Sequence, residues 1–264
     1  MYFQGYVGIM TSRGGAPRWA NAGPTLGLPA ASSVLAVCAH PDDESFGLGA
    51  ALAGFAESGA EVAVLSFTRG ESSTLGATGF DALSAVRAHE LRAAAQVLGV
   101  SRVVLLEHPD GGLHDIPLES LVADVRRVAG DCSPDILLVF DTSGVTGHAD
   151  HCRATEAAVV AAHALELPVL AWGITRIVAE QLNAELGTEF SGRDAEEFDI
   201  VAAIDRSVQR AAIACHASQS TGNDTLWRRL ALQGDVEHFA WLRRSDPPLH
   251  GTFAPGASAG SRAT

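Results

Sequence analysis

Ser33-Val34-Leu35-Ala36-Val37-Cys38-Ala39 runs directly into His40-Pro41-Asp42-Asp43-Glu44. The first seven residues are short, partly β-branched and nearly continuous in apolar character, the pattern of a strand buried on both faces. Pro41 restricts the residue before it to extended geometry, which helps end the strand at His40. A helical pattern follows over Ser45–Gly59. The alternation repeats outward. Glu61–Phe67, Arg102–Leu106 and Asp135–Phe140 read as further buried strands, and Ala82–Leu98, Leu118–Ala129 and Asp150–Leu165 as helices. Gly99 follows one helix and Pro134 precedes a strand, where turn signals belong. Strand–helix alternation implies right-handed βαβ units. The expected fold is α/β, a Rossmann-like, doubly wound, mainly parallel sheet with helices on both faces.

A single domain is expected over residues 32–245. Residues 6–31 and Asp246–Thr264 are rich in Gly, Pro, Ala or Ser and aperiodic, which reads as flexible ends. Tyr2-Phe3-Gln4-Gly5 resembles the remnant of a cleaved purification tag, so residues 1–31 are treated as tag remnant plus flexible segment. Past Pro168 the pattern weakens. Val169–Ala171 and Arg176–Ala179 read as strands, Ile204–Ala217 and Asp224–Leu232 as helices, and Glu237–Leu242 fits either.

Composition removes several classes of function. All 18 basic residues are arginine, against 31 acidic ones, for a net charge of −13. Without lysine there is no Schiff-base amine, no phosphate-loop lysine and no Ser–Lys dyad. An acidic surface repels polyanions, so no nucleic-acid partner is expected. No apolar run reaches the roughly 18–20 residues of a membrane span. Cys38, Cys132, Cys152 and Cys215 are scattered and form no Cys-x-x-Cys pair, a pattern suited to reduced thiols in a cytoplasm. The oligomeric state, homo-oligomer included, is open.

The carboxyl ends of strands in a parallel sheet are where ligands bind. There the first strand delivers one imidazole and three carboxylates within five residues. Acids this close raise one another's pKa unless a cation intervenes, and His with Asp are proper zinc ligands. An acidic helix start would account for Asp42, Asp43 or Glu44, but not for His40 beside them. Gly47-Leu48-Gly49 does not make a dinucleotide fingerprint, because position 52 is leucine and the acids upstream repel a pyrophosphate.

After Asp135–Phe140 comes Asp141-Thr142-Ser143-Gly144-Val145-Thr146-Gly147-His148-Ala149-Asp150-His151, again polar and entering a helix. His148 and His151, three apart, can face one cavity. Asp150 can either cap the helix or receive the second nitrogen of a histidine and fix its tautomer. First and fourth strands are commonly neighbours in a doubly wound sheet, which would bring both clusters to one crevice. His40, Asp43 and one of the two histidines would then leave a coordination position open for water, as catalytic zinc sites do.

Ala39-His40-Pro41-Asp42-Asp43-Glu44 with His148-Ala149-Asp150-His151 resembles the PIG-L/LmbE-like superfamily of zinc-dependent N-deacetylases, over roughly residues 33–220. Thr68-Arg69-Gly70-Glu71, Arg87 with Glu90, Pro109-Asp110-Gly111 and His216-x-Ser218-Gln219 add to the likeness. The resemblance implies deacetylation of an N-acetylglucosaminyl-type amino sugar or glycoconjugate. It makes His40, Asp43 and His151 the Zn2+ ligands, Asp42 the general base and His148 the electrostatic partner with Asp150 behind it. It places Arg69 and Asp110 against the substrate's polar groups. Two positions depart from the family pattern: Ala149 stands where proline is usual, and Thr146 where mycothiol-pathway members carry a catalytic tyrosine.

A His–Asp–His set also accepts iron, cobalt or nickel. The alternatives are an amidase of another N-acyl or mycothiol-conjugate substrate, and a non-catalytic metal- or sugar-binding protein on the same fold. Arg87 and Glu90, three apart on a helix, read as a structural salt bridge, and His216–Gln219 as structural support. Cys152 is turned away from His151 by helix geometry. Specificity is expected in Gly70–Asp81, Gly111–Pro117 and Ile174–Phe198, with His108 and His114 as further candidates for the pocket wall.

Overall fold

The structure, a computed structural model, describes residues 25–75 and 80–244. In chain order the elements are β1 (Thr25–Leu26), β2 (Ser33–Cys38), α1 (Asp43–Phe46), α2 (Gly49–Glu57), β3 (Glu61–Thr68), α3 (Phe80–Leu98), β4 (Arg102–His108), α4 (Leu118–Cys132) and β5 (Ile136–Phe140). There follow α5 (Ala149–Leu165), β6 (Val169–Gly173), α6 (Arg176–Leu186), β7 (Ile200–Ala203), α7 (Ser207–Cys215), α8 (Ala217–Ser220), α9 (Asp224–Gln233) and β8 (Val236–Arg243).

The strands form one sheet in the order β1-β7-β8-β6-β5-β2-β3-β4. All pairings are parallel except those of β8, which runs antiparallel to β6 and β7. The apolar runs explain the layering. Successive side chains of a strand point to opposite faces, so Val34, Ala36 and Cys38 join Leu52, Phe55, Ala94 and Leu98 on one side. Leu35, Val37 and Ala39 pack with Leu121, Val125, Ala154 and Ala158 on the other. One core is thus covered by α2 and α3 and the other by α4 and α5, the doubly wound arrangement expected.

Three expectations need correction, and one open segment is decided. The helix read as Ser45–Gly59 is two helices, broken at Gly47-Leu48. A Cβ on Gly47 would lie 2.5 Å from the Phe140 ring and 3.1 Å from Trp172, so the break lets the chain approach the aromatic floor of the crevice. Arg176–Ala179 is not a strand but the start of α6, whose N-cap Thr175 accepts the Val178 N–H. Glu237–Leu242 lies in a strand, the antiparallel β8. Before residue 32, Thr25 and Leu26 also belong to the fold, since they pair with Ile200 and Val201. Residues 1–24, 76–79 and 245–264 lie outside the described residues, with the tag remnant, part of the Gly70–Asp81 segment and the C-terminal tail.

β2 lies between β3 and β5, with Val34, Leu35 and Ala36 in register with Ile136, Leu137 and Leu138. The first and fourth strands read from the sequence are therefore neighbours, and their polar C-terminal segments open onto the same crevice.

Candidate active site

The crevice is a cavity of about 530 Å³. Its base is a cluster from the ends of β2 and β5. His40 Nδ1 lies 3.2 Å from His151 Nε2, and His151 Nε2 lies 3.1 Å from Asp43 Oδ1. All three residues are buried. Asp43 is aimed by backbone, because its Oδ2 accepts the N–H groups of Ala39 and His40 at 3.0 and 2.9 Å.

The opposite ring nitrogens are committed elsewhere. His40 Nε2 is 3.0 Å from Asp110 Oδ1 and 3.4 Å from Asp150 Oδ2, so it carries the proton. His151 Nδ1 is 3.1 Å from the Gly144 carbonyl oxygen, which can only accept, and 3.0 Å from Thr146 Oγ1. In the neutral rings two bare nitrogen lone pairs and a carboxylate oxygen then converge. That arrangement is repulsive unless a proton or a cation intervenes, and its donor atoms are of a kind that could hold a divalent metal. A second set, His40, Asp110 and His148, shares the same histidine.

The field at this point favours positive charge. Burial opposes charging His40, but hydrogen bonds to Asp110 and Asp150 and the nearby Asp43 outweigh it and raise its pKa to about 10. Burial also pushes Asp43 up, yet His151 and His40 hold it well below the usual carboxylate range.

Asp42 differs from its neighbour. Burial raises its pKa to about 6 against the pull of Arg87. It caps α1 with φ 116°, a strained left-handed backbone for a residue other than glycine. Arg87 donates from Nη2 to Asp42 Oδ2 at 2.9 Å and to the Pro41 carbonyl, and from Nη1 to the Gly70 carbonyl at 2.6 Å. Gly70 has φ +66°, and a Cβ there would sit 2.1 Å from Arg87 Nη1, so this approach requires glycine. The expected Arg87–Glu90 bridge is absent. Glu90 instead accepts from the Ser218 backbone N–H and hydroxyl at 2.8 and 2.6 Å. Three-residue spacing suggested a pair, but Arg87 is drawn to the carboxylate and carbonyls at the end of β2.

His148 caps α5, with Nδ1 accepting the Asp150 N–H at 3.2 Å, which leaves Nε2 as the donor nitrogen. Burial and the neighbouring His40 and His151 lower its pKa. The Asp150 side chain is not behind His148. Its carboxylate accepts the Gly111 and Leu113 N–H groups at 2.8 and 3.1 Å and faces His40. A buried acid at the start of a helix turns to the nearest unsatisfied donors, here the loop after β4.

Asp110 lines the cavity and accepts the Ser72 N–H at 2.9 Å while facing His40. Arg69 does not line it. Its guanidinium pairs with Glu107 on the adjacent strand at 2.5 Å. His108 bonds Asp124 and His114 pairs with Asp115, and neither belongs to the cavity wall. Cys152 is no part of the cluster. Beyond the charged groups, Phe46, Phe140, Trp172, Phe190 and Leu226 give the wall an apolar side.

Fold and site together define an α/β protein with a His–Asp–His cluster that could hold a metal ion at the carboxyl ends of two neighbouring parallel strands. The chain belongs to the PIG-L family, the one its motifs resemble: residues 35–163 match the family described as GlcNAc-PI de-N-acetylase. A 1D-myo-inositol 2-acetamido-2-deoxy-alpha-D-glucopyranoside deacetylase of Corynebacterium diphtheriae is 30% identical over 81% of this chain and 83% of its own length. One of the same name from Kineococcus radiotolerans is 35% identical over 48% of this chain. That match and one to a Nakamurella multipartita relative span only 43% and 58% of those proteins' lengths. Among solved structures, N,N'-diacetylchitobiose deacetylase from Pyrococcus horikoshii superposes with TM-score 0.61, covering 81% of this chain and 84% of that one at 21% identity. The 4-carboxy-2-hydroxymuconate hydratase of Pseudomonas putida superposes with TM-score 0.62, covering 84% of this chain and 100% of that one, also at 21% identity. No helix among the described residues is long and apolar enough to cross a membrane.

Proposed function

We propose that the protein is a metal-dependent N-deacetylase that removes the acetyl group from an N-acetylglucosaminyl-type substrate. The observation that carries this reading is the convergence of His40 Nδ1, His151 Nε2 and Asp43 with their remaining polar atoms already committed, and with Asp42 beside them in the cavity wall. His40, Asp43 and His151 would hold Zn2+. The fold alone would not carry the reaction, because it also serves a hydratase.

Bound there, the metal supplies Lewis acidity toward the amide carbonyl and lowers the pKa of a water. The chain's own residues do the rest. Arg87 engages Oδ2 of Asp42, so Oδ1 is the oxygen that takes the proton of the attacking water. The same carboxyl then returns that proton to the departing amine nitrogen. His148 donates from Nε2 to the carbonyl oxygen as it gains negative charge, its orientation fixed by the Asp150 N–H on Nδ1. Asp110 and Ser72 offer polar contacts to the sugar on one side of the cavity.

The apolar side of the cavity favours a second reading within the same chemistry, an amidase acting on a longer N-acyl group or a bulkier conjugate. Thr146, in place of the tyrosine of mycothiol-pathway members, also favours it. The test is amine release from a panel of N-acetylglucosaminyl compounds and longer N-acyl analogues, on protein of measured metal content with and without chelator. Chelator-sensitive release from the N-acetyl compounds supports deacetylation, and preference for longer acyl groups supports the second reading. A metal-replete protein that releases no amine from any of them is a binding protein.

A further inference from the structure

Glu44 and His216 are 172 residues apart, both fully buried, and joined by a 2.6 Å contact between Glu44 Oε1 and His216 Nε2. Neither side chain hydrogen-bonds His40, Asp43 or His151. The other Glu44 oxygen, Oε2, accepts the backbone N–H of Asp42 at 2.9 Å. Ser45 Oγ donates to Oε1 at 2.6 Å, so the carboxylate is held at both ends. The Asp42 it grips is the residue with φ 116°.

A strained backbone persists only where its surroundings over-determine it. Here they do so from three directions. Glu44 fixes the Asp42 N–H, Arg87 fixes its carboxylate and the Pro41 carbonyl, and Gln209 Nε2 holds the Ser45 and Phe46 carbonyls at 3.0 and 3.2 Å. His216 is the far anchor of the first. Its Nδ1 has no hydrogen-bond partner among the described residues, although the ring is completely buried. A buried polar atom left unpaired calls for an explanation, and the bond to Glu44 supplies it: the ring is retained for what Nε2 does.

We propose that His216, acting through Glu44, is a positioning residue that holds Asp42 in its left-handed conformation and so aims its carboxylate into the cavity. The inference rests on the reading of Asp42 as the base. His216 touches neither substrate nor metal ligands, so removing its donor leaves both sites standing while Asp42 relaxes. A displacement of about 1 Å at a reacting group costs on the order of 100-fold in rate.

Two variants of the full chain test this. His216→Phe keeps ring volume and removes the donor, and His216→Gln keeps a donor on a similar reach. The expected result for His216→Phe is about a 100-fold loss of kcat with KM and bound metal unchanged, and for His216→Gln a partial recovery of kcat. Unchanged kcat in His216→Phe, or a loss shared equally with KM and metal content, overturns the proposal. The crystal structure of His216→Phe gives a reading independent of turnover: Asp42 should leave the positive-φ region, and retention of φ near 116° refutes the idea. If the wild-type protein hydrolyses no amide, the proposed function fails, while the Asp42 backbone in the variant still decides this inference.

Discussion

Asp150→Asn preserves the shape of a fully buried side chain and removes its charge. Asparagine offers one carbonyl oxygen where the carboxylate offered two, so it can serve either the Gly111 or the Leu113 N–H, and its amide nitrogen then faces the other. Losing a hydrogen bond to a charged group while leaving a donor unpaired costs roughly 1.5–3 kcal/mol. At about 2–4 °C per kcal/mol for a domain of this size, the metal-free protein should melt roughly 3–12 °C lower. The effect on metal comes through His40. Changing the outer partner of a ligating histidine typically weakens metal binding about 10–100-fold. Asp110 still holds His40 Nε2 at 3.0 Å, so the single variant belongs near the lower figure, about 10-fold or roughly 1.4 kcal/mol. The double variant with Asp110→Asn should lose more than the two single losses added together, because each acid covers for the other. Chelator competition measures the zinc affinity, a thermal melt of the metal-free form the stability, and kcat at saturating metal the chemistry. Unchanged affinity and melting together with a kcat loss of 100-fold or more would refute the reasoning and return Asp150 to a role behind His148.

Asp42→Asn should lower kcat by about 100- to 10,000-fold, the range of a positioned general base, with metal content by atomic emission close to wild type; loss of metal would make Asp42 a ligand instead. His151→Ala should not retain metal through a desalting column. His148→Ala should retain it and lose about 100- to 1000-fold in kcat, as expected for a lost donor to a developing oxyanion. Glu237→Ala strips the partner from buried Arg206 at 2.6 Å and an acceptor from Trp172 Nε1, and should cost roughly 3–5 kcal/mol in a denaturant titration; a loss under about 1 kcal/mol would mean that Arg206 finds another partner.

What could be read from the sequence was whatever depends on local pattern and strand order. The apolar runs at Ser33–Cys38 and Ile136–Phe140 identified strands whose neighbours are buried on both sides, and their adjacency placed His40 and His151 in one crevice. The misreadings came where tertiary contacts override local pattern. Ile177-Val178 look like strand residues, but Thr175 caps them into α6. Arg87 looks paired with Glu90 by helical spacing, but reaches from α3 to Asp42. Arg69 sits beside a glycine in a motif, but Glu107 on the neighbouring strand claims its charge. No local signal could show that Glu44 answers to His216, because nothing within a helix turn of either residue points to the other.

The carboxylates around His40 are chemically alike, and their partners sort them into different tasks. Asp43 gives one oxygen to the Ala39 and His40 backbone and presents the other to His151, the posture of a fixed ligand. Asp150 accepts backbone donors on both oxygens while facing His40, the posture of a support. Asp110 divides itself between Ser72 and His40, tying the loop after β3 to the cluster. Asp42 meets the Arg87 guanidinium through one oxygen and has the raised pKa of the set. On the proposed function, an acid that can neither rest in a backbone cradle nor lose its charge to a histidine would be the one to exchange a proton with the reaction. That sorting also explains how, on the same reading, a chain of net charge −13 without lysine would handle an amide: its acids would be organised around a bound cation, and the buried Arg87 would steer a base rather than neutralise the centre.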